Sequence, residues 1–170
     1  GGEAKVVAVD ISRRRLIAAK HLLRRLGVPE ASVGLVLADS THISVRSVDK
    51  VLLDAPCSNS GAIGKDPGVK ATLTPGKVEF YRGTQLRLLA KALQLSDLVV
   101  YSVCSILPEE GEEVVTEALA TSEGFRAAPH RLSRLCSAGY PGYPVSSSVC
   151  RMFPHTHSSD GFFIARLARS

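Results

Sequence analysis

Four short apolar runs, each closed by an acid or a thiol, constrain this chain most. They are Lys5-Val6-Val7-Ala8-Val9-Asp10, Val33-Gly34-Leu35-Val36-Leu37-Ala38-Asp39, Val48 to Leu53 followed by Asp54, and Leu98 to Val103 followed by Cys104. Short, nearly continuous apolar runs suit strands buried on both faces, the habit of parallel sheets. Helical signals alternate with them. Ser12 predicts the cap of a helix that runs to about Leu26 and stops at Gly27, with Leu16, Ala19, Leu23 and Leu26 as its apolar stripe. Thr74-Pro75 precedes a helix from about Lys77 to Leu95, and Pro108 opens another to about Thr121. Glu109, Glu110, Glu112 and Glu113 suit the positive end of that last helix. Gly61 to Gly76 reads as a loop, Gly124 to Ala128 as a short strand, Pro129 to His157 as irregular, and Gly161 to Leu167 as a closing strand that can run antiparallel. The expectation is an α/β fold, a mostly parallel sheet with helices on both faces.

At 170 residues the chain reads as one domain able to bury a core. It opens on Gly1 rather than Met, which reads as a piece of a longer protein, and no secretory signal is legible at its start. No apolar run approaches the roughly 20 residues that span a bilayer. The formal charge of +5 leans mildly toward a polyanion such as RNA. Arg13, Arg14, Arg15, Lys20, Arg24 and Arg25 surround the first helix, and read first as a solvated face, second as a footprint for phosphates. The cysteines, 57, 104, 136 and 150, contain no C-x-x-C pair, so no zinc site is expected. An intracellular protein with a working thiol fits better than a disulfide framework. A Cys136–Cys150 bridge is expected only in an unusual compartment or a heat-adapted organism, and both residues read as structural.

Ligands of open α/β sheets bind at the carboxyl ends of the strands. Asp10, Asp39, Asp54, Cys57 and Cys104 all fall at or just past such ends. Asp10 suits the two hydroxyls of a ribose, a task that nicotinamide and S-adenosylmethionine folds share. Asp39 suits an adenine edge or ribose, or simply ends its strand. Each cysteine alone reads equally well as a small core residue. Two at matched strand ends, with Pro56 fixing one turn, point to thiol chemistry.

The chain carries the motifs Asp54-Ala55-Pro56-Cys57-Ser58-Asn59-Ser60-Gly61 and Tyr101-Ser102-Val103-Cys104-Ser105-Ile106-Leu107-Pro108-Glu109-Glu110, and closes on Phe153-Pro154-His155 and Asp160-Gly161-Phe162-Phe163-Ile164-Ala165. Together they resemble the Sun (RsmB-like) family of RNA cytosine-5 methyltransferases, in the family's order and through nearly the whole chain. The resemblance implies a Rossmann-like class I methyltransferase fold, with residues 1–170 as part of a catalytic domain. It implies S-adenosylmethionine as cofactor, an rRNA or tRNA substrate, and a cytoplasmic, nucleolar or mitochondrial setting. By the same resemblance Asp10 and Asp39 are cofactor acids, and Asp54 serves both cofactor and target cytosine. Cys104 is the nucleophile, and Cys57 helps resolve the covalent adduct.

The sequence departs from the family at several points. The glycine-rich cofactor loop and the first central strand are missing, Val103 replaces the usual threonine, Gly111 stands for an asparagine, and Leu95-Ser96-Asp97 replaces a Gly-Gly turn. The chain by itself is therefore expected to bind S-adenosylmethionine poorly. Two other readings compete: a nicotinamide-dependent oxidoreductase, supported only by the strand ending in Asp10, and a non-catalytic RNA-binding fragment. A DNA cytosine methyltransferase needs only the Pro-Cys thiol and leaves Cys104 without a task.

Overall fold

The computed structural model describes residues 4–45, 48–129, 132 and 134–170. Two compact units divide the chain, Gly1–Ser44 and Val45–Ser170.

The first unit is a strand–helix–strand. β1 (Val6–Asp10) pairs in parallel with β2 (Val33–Leu37), from Val6 opposite Val33 to Asp10 opposite Leu37. α1 (Arg13–Arg25) connects them. Ser12 caps it, its hydroxyl accepting from the Arg15 amide, and Gly27 turns the chain away with φ +69°. Both strands were expected to be buried on both faces, and they are not. Val6 and Val7 are 50% and 52% exposed, and no residue of α1 is fully buried. A strand with a partner on one edge only, in a two-stranded sheet, cannot be enclosed all round.

The second unit holds the core. β3 (Val51–Asp54) runs parallel to β4 (Leu98–Val103), linked by α2 (Gly68–Thr72) and the long α3 (Pro75–Leu95). α4 (Glu112–Thr121) leads to β5 (Phe125–Ala127), followed by β6 (Val149–Met152), the single turn α5 (Pro154–His157) and β7 (Phe162–Arg169). β7 lies antiparallel to β4 on one edge and antiparallel to β5 and β6 on the other. β3, β4, β5 and β6 thus all point one way, and β7 alone is reversed. Among the described residues the second unit's strands make one five-stranded sheet, and the first unit's two strands make their own.

Alternation explains the core. Val99, Tyr101 and Val103 of β4, and Phe163, Ala165 and Leu167 of β7, are all 0% exposed and share one face. They pack with Leu89, Ala92 and Leu93 of α3 and with Val114, Val115 and Ala118 of α4. Each such large side chain contributes about 1.5–3 kcal/mol by leaving water.

Three segments differ from the sequence expectation. The loop at 61–76 contains α2. The stretch at 129–157 contains β6 and α5, and Cys136 is disulfide-bonded to Cys150 of β6. Pro108–Glu110 is a 3-10 turn rather than the start of the helix, and α4 begins at Glu112. Among the described residues no helix is long and apolar enough to cross a membrane.

Candidate active site

β3 and β4 run in the same direction with Asp54 opposite Ser102, so the loops that follow them leave the same sheet edge. Three backbone bonds stitch those loops together: Ala55 N–H to Ser102 carbonyl (3.0 Å), Gly61 N–H to Cys104 carbonyl (3.1 Å), and Gly161 N–H to Gly61 carbonyl (2.9 Å). Gly61 and Gly161 touch backbone to backbone. A Cβ on Gly61 would run into the Gly161 carbonyl, with the carbon at 2.6 Å, so only glycine fits. Side chains add to the seam. The Ser60 and Ser105 hydroxyls bond at 2.8 Å, and Ser60 Oγ also accepts from the Ile106 amide.

The result is the pairing anticipated from the two motifs. Cys57 Sγ and Cys104 Sγ lie 3.2 Å apart. Both are free thiols, Cys57 buried and Cys104 half-buried. Asp54 sits beside them and accepts a hydrogen bond from Ser102 Oγ at 3.1 Å.

The two sulfurs have unequal environments. The Cys57 thiol bonded to Cys104, together with Cys104's own backbone amide, pushes the Cys104 thiol down to about 7, against its partial burial and the charges of Asp54 and Glu110. Cys57 moves up, through its bond to Cys104 and through burial. Burial disfavours charge on the enclosed sulfur, so the accessible one is the more readily ionised of the two. The segment after Cys104 at Pro108–Glu110 is a three-residue turn, and the neighbouring thiol is the largest influence that lowers Cys104.

The acids after Pro108 serve differently from the helix-end role expected of them. Glu110 is fully buried, and its carboxylate accepts from the Ser58 amide (2.8 Å), the Ser58 hydroxyl (2.5 Å) and Gln85 Nε2 (3.2 Å). Gln85 also donates to the Pro56 carbonyl at 2.8 Å. The backbone on both sides of Cys57 is thus fixed from α3 and the turn at 108–110. Glu112, also fully buried, pairs with fully buried Arg151 of β6 through both oxygens. Arg151 in turn donates to the carbonyls of Ser105 (3.3 Å) and Leu107 (3.1 Å), and the Tyr140 hydroxyl takes the Ile106 carbonyl between them (3.0 Å). Two buried carboxylates thereby hold the two cysteine loops, one each. Gln85, Arg151 and Asn59 were not singled out from sequence. An arginine inside the apolar run Val149 to Met152 was the one available signal.

In the first unit, Asp10 and Asp39 stand at the ends of β1 and β2, and the chemistry of hydroxyl recognition fits them. Both already have donors. Asp10 takes the Ser12 amide and both Nε and a terminal nitrogen of Arg15, which hold its carboxyl below the usual range. Asp39 is held down likewise by the hydroxyl and amide of Thr41. Arg24 pairs with Glu30, so part of α1's basic face is neutralised internally. Among the described residues no group of three or more His, Cys, Asp and Glu could hold a metal.

The family model for the 16S rRNA methyltransferase RsmB/F matches residues 1–168. The chain is 34% identical over 170 residues to ribosomal RNA small subunit methyltransferase B of Thermus thermophilus, covering 98% of this chain and 40% of that protein. It is 33% identical over 177 residues to a 28S rRNA (cytosine-C(5))-methyltransferase of Mus musculus, covering 96% of this chain and 22% of that one. Among solved structures, NSun6 from Pyrococcus horikoshii with SFG superposes with a TM-score of 0.81 at 29% identity, covering 97% of this chain and 41% of that chain. The chain thus spans well under half the length of these relatives, and it has their Rossmann-like α/β fold. With the family model matched almost end to end, over residues 1–168, this chain belongs to the RsmB/F methyltransferase family.

Proposed function

We propose that the protein methylates carbon-5 of a cytosine in RNA, with ribosomal RNA as the substrate class its relatives' names favour. The observation that carries this reading is the Cys57–Cys104 pair: sulfurs 3.2 Å apart, one enclosed and one accessible, with the accessible thiol pushed down to about 7.

Carbon-5 of cytosine is a weak nucleophile. Addition of the Cys104 thiolate to carbon-6 forms a C–S bond and turns the ring into an enamine, whose carbon-5 can then attack an electrophile. Asp54, with a proton shared between its carboxyl and N3, would hold N3 and the exocyclic amine as charge develops there. After carbon-5 is alkylated its proton must leave, so that the ring can expel Cys104. A water that Cys57 positions, or Cys57 itself once its own proton has gone to solvent, would take that proton. A cytosine in a helix must also leave its stack to reach Cys104.

S-adenosylmethionine, when bound, supplies the electrophilic methyl group. Asp10 and Asp39 are the residues here that suit its hydroxyls and adenine edge. Arg15 already occupies both oxygens of Asp10, so a ribose would have to share or displace it.

Two substitutions in the intact protein test the reading. Cys104→Ser should abolish both methylation and adduct formation. Cys57→Ser should let a covalent RNA–protein species accumulate on a denaturing gel. Normal methylation by both variants would refute the two-thiol mechanism. Mass mapping of 5-methylcytosine in rRNA and tRNA from cells lacking the gene identifies the substrate. RNA binding that is salt-sensitive and survives both substitutions, without methylation, would instead favour a binding module.

A further inference from the structure

Asn59 touches both sulfurs, and the mechanism above gives it no task. Its Oδ1 lies 2.9 Å from Cys104 Sγ and 3.5 Å from Cys57 Sγ. Its backbone sits in the left-handed region, with φ 61° and ψ 23°, a conformation open mainly to Gly, Asn and Asp. The turn that follows Cys57 thus folds back so that the carboxamide reaches across to the other cysteine loop, 45 residues away in sequence.

The charges around Cys104 show why a donor there matters. From the loop after β3 it faces Cys57 and Asp54, and from the turn at 108–110 it faces Glu110. Both carboxylates disfavour a thiolate. Against them stand the Cys57 thiol and Cys104's own backbone amide. The Arg151 guanidinium, which reaches this loop from β6, is committed to Glu112 and to the carbonyls of Ser105 and Leu107. A carboxamide is suited to the remaining position, because a half-turn about its last torsion exchanges an acceptor oxygen for an N–H donor in the same place. Against a thiol, Oδ1 accepts the S–H. Against a thiolate, Nδ2–H donates to the sulfur.

We infer that Asn59 is a further catalytic residue: its carboxamide swings from acceptor to donor as Cys104 loses its proton, and stabilises the thiolate that attacks the ring. The inference rests on Cys104 being the nucleophile. The proton lost from Cys104 goes to solvent before attack and no additional reactant is needed. When the adduct forms, the sulfur loses its charge and the amide bond weakens. When Cys104 is expelled again, the same amide receives the returning thiolate.

The test reads the thiol directly, without RNA. Iodoacetamide labelling of Cys104 in the intact protein is followed against pH by peptide mass mapping, for the native chain and for Asn59→Gly and Asn59→Asp. Both substitutes tolerate the left-handed backbone, so the turn is kept. For the native protein the midpoint should fall near 7. Asn59→Gly should raise it by about 1 unit, the worth of one hydrogen bond to a charged sulfur. Asn59→Asp should raise it further, since a carboxylate then faces the thiolate. A midpoint that stays put or falls in Asn59→Gly, or an Asn59→Asp profile like the native one, overturns the inference. Failure of the nucleophile assignment shows separately, as methylation that survives Cys104→Ser.

Discussion

Arg151→Met is the most informative single change outside the two cysteines. Arg151 and Glu112 are both 0% exposed, and the carboxylate binds the guanidinium through both oxygens. Removing the arginine leaves Glu112 sealed in with only the Tyr140 amide, which donates to it at 2.8 Å. Stranding one member of a buried ion pair costs about 3–5 kcal/mol. The carbonyls of Ser105 and Leu107 also lose their donor, at about 1 kcal/mol each. Against a total stability of about 5–15 kcal/mol, the variant should be close to unfolding. In urea, with a slope of about 2 kcal/mol per molar, the midpoint should fall by about 3 M. The cause is testable by a cycle. If the stranded charge dominates, Arg151→Met combined with Glu112→Leu should recover about 2–3 kcal/mol over Arg151→Met alone, although the carbonyls remain unserved. The recovery should persist in high salt, because the pair is out of reach of screening ions. A double variant no more stable than Arg151→Met would refute the reasoning, and would assign the loss to packing against Tyr140 and Phe163, over which the guanidinium lies at 4.6 and 4.8 Å.

Gly61→Ala should destabilise the protein by at least about 3 kcal/mol, because its Cβ meets Gly161 backbone, whereas Gly64→Ala, with nothing within 4 Å, should stay within about 0.5 kcal/mol; urea midpoints compare them. Glu110→Gln puts an N–H where Glu110 now accepts from Ser58 and Gln85, at a cost of about 1–3 kcal/mol. It should loosen the Cys57 turn and raise the covalent RNA adduct, read on a denaturing gel; native adduct levels in a folded variant would contradict that. Single-turnover methylation should rise with pH and level off above about 7, since the thiolate is the reactive form and its fraction grows through that value; a rate flat from pH 6 to 8 would count against Cys104 as nucleophile. Residues 1–170 alone should bind S-adenosylmethionine weakly, Asp10 being held by Arg15, and low-micromolar affinity in a calorimetric titration would contradict this.

Much of the framework was legible in the sequence, for physical reasons that can be named. Strands β1 to β4 are legible as short runs of Val and Leu with few polar residues between them, whether or not both faces are then covered. Ser12 and Thr74 each cap their helices as residue chemistry predicts. The meeting of Cys57 and Cys104 followed from two parallel neighbours delivering their loops to one edge. β6 was not legible, because Cys150 and Arg151 interrupt its pattern, and the arginine is tolerated only by a partner 39 residues away. Glu110 was misjudged for the same reason. An acid in the first turn of a helix looks identical in sequence whether it faces water or, as here, a serine 52 residues distant. Burial on the outer strands was overestimated, since composition reveals an apolar strand but not how many neighbours it has.

The reversed strand at Phe162–Arg169 carries a consequence for biosynthesis. Among the described residues β5 pairs only with β7, β6 pairs with β7 and, through a single bridge at Arg151, with Ser137, and β4 meets its second neighbour in β7. All of these emerge from the ribosome first. While translation continues, the nascent polypeptide holds β4 with its far edge open, β5 unpaired and β6 with only its bridge to Ser137. Such long-range closure is slow and leaves hydrogen-bonding edges exposed in the interval. Ribosome stalling shortly before residue 162 should therefore yield a chaperone-dependent, aggregation-prone chain, and release of the last eight residues of that strand should let the whole sheet close at once.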